Sequence, residues 1–189
     1  MKNPWIHWGI FKSIDHHNHT HDCGELCSLR FTWSRPRKSA SEEKVFIEEN
    51  FLCFLDLAEK LAEAPLKNLH AVKSPDSNIL FALAEFENRV TAEFDMNEAL
   101  PDSMPDIFFL KANYSGGHVT NQPLGGHFNE MGSIFADQDH LNLFTVESCN
   151  PEVVGGIYEN IMKIGNLKAS PEIPDAEKLL SLIRKAVYK

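Results

Sequence analysis

Residues 16 to 23 read HHNHTHDC, placing His16, His17, His19, His21 and Cys23 within eight positions, with Cys27 four further on. Imidazole and thiolate are ligands that zinc favours. In an extended chain alternate side chains share a face, so His17, His19, His21 and Cys23 form a candidate metal set. Their spacing matches no paired C-x2-C knuckle. Residues 1–23 also carry two of the three tryptophans and five of the nine histidines, with little periodicity. We therefore read them as an irregular His-rich N-terminal segment with no metal assigned, and keep the four-ligand set as the alternative.

A second polar group lies in NYSGGHVTNQPLGGHFNE, which holds Tyr114, His118, Asn121, His127, Asn129 and Glu130. The Gly116-Gly117 and Gly125-Gly126 pairs allow close backbone approach to a ligand. Amide and imidazole groups suit the hydroxyls of a sugar-like molecule. His118, His127 and His140 are a further, irregularly spaced, metal alternative.

The elements that must position these residues follow from hydrophobic period. ELCSLRFTWS (25–34) alternates, with Cys27, Leu29, Phe31 and Trp33 on one side, and reads as a half-buried strand. Ser39 to Glu42 has capping-box spacing, and a helix is predicted from Ser41 to Glu63. Its apolar face is Ile47, Phe51, Phe54, Leu55, Ala58, Leu61 and Ala62; Glu49, Cys53, Asp56 and Lys60 form the opposite stripe. Strands are predicted at 67–73, 77–86, 89–96 and 106–114, with a hairpin turn at Glu87-Asn88 and another around Asp137-Gln138-Asp139. Helices are predicted at 152–164 and 174–188.

This order gives an α+β class: an open, mainly antiparallel sheet with helices packed on one face. Residues 24–189 form a single domain. The segments ILFALAEF and DIFFLKANY are apolar on both sides. Such strands need cover on both faces, so the face away from the helices is expected to meet a second copy.

The 189 residues are 43% hydrophobic and 24% charged, with net charge -9. An acidic balance argues against nucleic acid and anionic membrane, which need a basic footprint. No apolar run reaches membrane-span length, and MKNPWIHWGIFKS lacks the apolar core and cleavage site of a secretory signal. Four cysteines at 23, 27, 53 and 149 do not read as a disulfide framework, so the expected compartment is the cytoplasm.

The stretches GELCSLRFTWSRP, FIEENFLCFLDLAEKLAEAPLKNLHAV, NILFALAEFENRVTAEFDM and IPDAEKLLSLIRKAVYK together resemble the C-terminal domain of the Gfo/Idh/MocA oxidoreductases, over residues 24 to 189. In that family a separate N-terminal Rossmann domain binds NAD(P). The C-terminal domain supplies the open sheet, part of the substrate pocket and the oligomer interface. The resemblance implies that residues 1 to 24 correspond to the stretch leading out of the cofactor domain. It also places Trp33 and Arg35 where the pocket opens. The family's D-x-x-x-H-x-x-D motif maps onto Glu49, Cys53 and Asp56, with cysteine in place of the acid/base histidine. A thiol with a pKa near ~8.5 is a poor replacement for imidazole near ~6.5.

Two family features are absent from the sequence: no G-x-G occurs anywhere, and there is no Glu-Lys-Pro. A doubly wound cofactor domain needs roughly 100 residues, far more than the 23 that precede the likeness. The sequence therefore implies a substrate-binding and oligomerisation domain for a sugar or polyol oxidoreductase, inactive alone. NAD(P) would be held only with a separate Rossmann subunit. The alternatives are a stand-alone sugar-binding dimer or a metal-binding protein.

Overall fold

The computed structural model describes residues 1–36, 43–74, 79–101, 107–121, 131–137, 140–145 and 170–187. A 3-10 turn (Pro4–His7) and helix α1 (Gly9–Thr20) lead into strand β1 (Leu26–Pro36) and helix α2 (Glu43–Ala62). Seven strands follow: β2 (Leu66–Lys73), β3 (Ile79–Phe86), β4 (Thr91–Leu100), β5 (Ile107–Tyr114), β6 (His118–Thr120), β7 (Met131–Asp137) and β8 (His140–Thr145). Helix α3 (Ala176–Val187) comes last. The eight strands form one open sheet in the order β2-β3-β4-β1-β5-β6-β7-β8. Every pair is antiparallel except β1 with β4. The α+β class and the mainly antiparallel sheet are as the sequence implies. The helix expected at 152–164 lies outside the described residues.

Alternation builds the core. Leu29, Phe31 and Trp33 of β1, with Ala92, Phe94 and Met96 of β4, are buried beneath the helices. Phe31 stacks on Phe94 at 5.0 Å between ring centres, and Phe54 of α2 lies 5.6 Å from Phe31. Cys27 departs from the expected inward row. It is exposed, where pairing of β1 with β5 shifts register between Leu26 and Ser28. The β3–β4 hairpin turns through Glu87, Asn88 and Arg89, one residue more than expected. Arg89 adopts φ 73°, the left-handed third position common in three-residue hairpins. Helix α2 ends at Glu63 (φ 53°) two residues before Pro65, an αL stop followed by a residue that cannot continue a helix.

The first 23 residues are not an irregular lead-in. Asn3 caps the opening turn, its Oδ1 accepting from the Trp5 N–H at 3.1 Å, and Pro4 occupies the first turn. Trp5, Trp8, Ile10, Phe11 and Ile14 are all buried in the common core. His21, at φ 57°, ends α1 by donating its N–H to the His17 carbonyl at 3.0 Å. Gly24 (φ 82°) then turns the chain into β1, where an added Cβ would meet Ser115 Oγ at 2.3 Å. The segment is also tied to the far end of the chain. Asn3 N–H donates to the Pro171 carbonyl at 2.9 Å, and Ile173 N–H to the Met1 carbonyl at 2.7 Å.

The opposite face of the sheet carries Val72 (72% exposed), Phe81 (47%) and Leu83 (51%), with Val72 the register partner of Phe81.

Candidate functional site

The turn at Pro4–His7 lies on the polar stripe of α2, so that stripe is largely covered. Glu49 is exposed, while Cys53 and Asp56 are buried. The Asn3 amide nitrogen donates to Asp56 Oδ2 at 2.6 Å and to the Cys53 carbonyl at 2.9 Å. Asp56 also pairs with Lys60 one turn on. Trp5 Nε1 donates to Asn50 Oδ1 at 3.0 Å. Burial, with the Asp56 and Glu49 carboxylates adding to it, pushes the Cys53 thiol up to about 12. At neutral pH it is a protonated thiol, neither nucleophile nor proton acceptor. Asn3, Asn50 and Trp5 were not singled out by sequence reasoning. The signal was the Asn-Pro step, an N-cap followed by an N1 proline.

A cavity of about 490 Å³ opens beside Asp56, between the end of α2, the start of β2 and the lead-in to α3. Lys60 and Lys178 face it together with Glu59, Glu63 and Asp175. One wall is fixed by Glu59, whose Oε1 accepts from the Leu66 N–H at 2.9 Å. Ammonium donors and carboxylate acceptors around one space suit a hydroxyl-rich ligand.

Among the described residues, those expected to line a sugar pocket lie toward opposite ends of β1 and β5. Trp33 and Arg35 are buried at one end of β1. Arg35 Nε lies 3.9 Å from the buried Glu98 carboxylate, and its guanidinium carbon 6.0 Å from the Trp33 ring centre. Tyr114 is at the other end, opposite Leu26. Its hydroxyl donates to Asn18 Oδ1 at 2.7 Å on α1, and burial pushes its pKa up. Asn121 clamps β5, accepting from the Leu110 N–H at 2.8 Å and donating to the Phe108 carbonyl at 2.9 Å. His118 is half-buried in register with Asn113, and burial and then Lys111 lower its pKa. His127, Asn129 and Glu130 lie outside the described residues.

The histidine-rich segment is helical through Thr20, so the shared face of an extended chain is lost; residues two apart diverge by about 200°. His17 Nδ1 sits 3.6 Å from Asp22, His19 Nδ1 2.7 Å from the Asp15 carbonyl, and His21 Nδ1 3.9 Å from Glu25. Cys23 is buried, which raises its thiol pKa. Among the described residues no three His, Cys, Asp or Glu side chains gather in a way that would hold a metal ion. Also among them, no helix is long and apolar enough to cross a membrane.

No family model matches the sequence, and no curated protein sequence matches it. The fold does match solved structures. An oxidoreductase from Agrobacterium radiobacter, solved with NAD+, L-tartaric acid and magnesium, superposes with TM-score 0.64 at 12% identity, over 98% of this chain and 60% of that one. An inositol dehydrogenase homolog from Azotobacter vinelandii, with NADH and myo-inositol, gives 0.61 at 12% identity, over 97% and 59%. An aldose-aldose oxidoreductase from Caulobacter crescentus, with glycerol, gives 0.60 at 11% identity, over 97% and 58%. The likeness to the C-terminal domain of the Gfo/Idh/MocA oxidoreductases is thus borne out at the level of the fold, and the chain spans about 60% of the length of these proteins.

Proposed function

We propose that this chain is the substrate-side and assembly domain of an oxidoreductase acting on a sugar or polyol, with NAD(P) held by a separate Rossmann-type unit in the cytoplasm. The observation that carries this reading is coverage. Nearly the whole chain matches a part of proteins solved with NADH and myo-inositol, or with glycerol. The cavity beside Asp56 supports the substrate role, because donors and acceptors surround one space at the motif helix. The apolar residues on the open sheet face support self-association. Cys53 does not replace the family's histidine, since its thiol stays protonated at neutral pH. Cys53 therefore supplies no proton acceptor for alcohol oxidation, and without a cofactor unit the chain is inactive.

The test is a pair of titrations on the purified chain. With NADH and NADPH, fluorescence should show no saturable binding up to millimolar cofactor. With myo-inositol, glycerol and glucose, calorimetry should detect binding of at least one, weakened by Lys178→Glu at the cavity rim. Micromolar cofactor binding would refute the divided site. Silence across the polyol panel would refute the substrate assignment.

A further inference from the structure

The open sheet face has an unusual row at its centre. Register places Val72, Phe81, Asp95, Thr32 and Phe109 side by side across β2, β3, β4, β1 and β5. A carboxylate thus stands between a half-exposed phenylalanine and a threonine, in a row that is otherwise apolar or neutral. The neighbouring row is His70, Leu83, Glu93, Arg30 and Lys111. There Glu93 engages the Arg30 guanidinium at 3.0 Å.

The occupant that best fits this face is a second copy of the chain. The net charge of -9 makes two copies repel, yet on these two rows Arg30 and Lys111 balance Glu93 and Asp95. Five strands at ~4.8 Å and eight residues at ~3.3 Å span about 600 Å² before side-chain relief is counted. A stable interface takes ~800 Å² per partner.

We propose that Asp95 makes association through this face proton-linked, so that two copies close on each other as pH falls and part as it rises. This rests on the reading of the face as the contact between copies. Partial burial already holds the Asp95 carboxyl above its ordinary range, with Arg30 opposing and Glu93 adding to the shift. A covering copy withdraws the remaining water and disfavours the anion further. The pair then binds a proton at a pH where the separate chain does not, so association takes protons up and strengthens until both forms are protonated. Among the described residues the other titratable groups on this face are His70 on β2, Glu85 on β3, Glu93 on β4 and His118 on β6, with Lys67 on β2, Arg30 on β1 and Lys111 on β5 as fixed charges; the Lys67 ammonium, 2.7 Å away, holds the Glu85 carboxyl below its ordinary range.

The experiment is sedimentation equilibrium of the full chain across about pH 5 to pH 8, for wild type, Asp95→Asn and Leu83→Arg. With one proton per copy, the wild-type dissociation constant should fall with pH, by up to about 100-fold per unit. Asp95→Asn should associate tightly with a flat profile, and Leu83→Arg should stay monomeric. A wild-type slope retained in Asp95→Asn, or a slope of the opposite sign, overturns the role of Asp95 while leaving the interface standing. Association of Leu83→Arg with wild-type strength overturns the interface itself.

Discussion

Replacing Asn3 by alanine tests whether the N-terminal turn is part of the fold. The Asn3 side chain is fully buried, caps the opening turn through Trp5 N–H, and donates to Asp56 and to the Cys53 carbonyl. Losing the cap costs about 1 kcal/mol. Losing a hydrogen bond to a charged carboxylate costs about 1.5–3 kcal/mol, and a carbonyl left without its donor about 1 kcal/mol. The sum, about 4 kcal/mol, corresponds to a fall in Tm of roughly 10 °C for a chain of this size. Urea denaturation followed by circular dichroism measures the free energy. A double-mutant cycle with Asp56→Asn should return a coupling of about 1–3 kcal/mol. If Asn3→Ala changes stability by less than ~0.5 kcal/mol, residues 1–20 do not pack on α2, and the burial of Cys53 and Asp56 must have another cause.

Arg35→Ala should destabilise by about 3–5 kcal/mol by leaving Glu98 buried without its cation, whereas Arg35→Leu combined with Glu98→Leu should cost far less, as urea midpoints would show. His17 has its pKa lowered from 6.5, burial outweighing Asp22. The unfolded chain therefore binds the proton first, and stability is full above pH ~6.5 and lost as pH falls through the folded pKa. His17→Gln should flatten the urea midpoint profile in that range. In a Cys23→Ala, Cys27→Ser, Cys149→Ser background, Cys53 should react with a thiol reagent at pH 8 only at the rate of unfolding, because its thiol lies at about 12; rapid labelling of the native chain would refute its burial.

Much of the sheet was legible because alternation survives in single segments: Val90, Ala92, Phe94 and Met96 are all buried, as their period implies. The position of β1 was not. Its parallel partner β4 lies some 60 residues along the chain, and no local pattern encodes such a pairing. The N-terminal helix was missed although Trp5, Trp8, Phe11 and Ile14 recur every three residues. The histidine-rich stretch that follows, His16 to His21, has no apolar residue to continue the pattern. The covering of the Glu49, Cys53, Asp56 stripe by the N-terminal turn was not legible, because periodicity reports which face of a helix is polar, not which polar face is later covered. The proposed sugar contacts were grouped by type. Arg35 lies nine residues beyond Leu26, the partner of Tyr114, about 30 Å along the strand at ~3.3 Å per residue.

The junction of Met1–Asn3 with Pro171–Ile173 sets an order on folding. Closing a loop of about 170 residues costs about 4.5 kcal/mol of chain entropy beyond a constant. That closure becomes favourable only after the sheet has brought the two ends near. Trp33 sits in the sheet, and Trp5 and Trp8 in the cap that closes last. The indoles therefore serve as clocks for separate events, Trp33 fluorescence following collapse of the sheet and Trp5 and Trp8 following the slower docking that completes the core over α2.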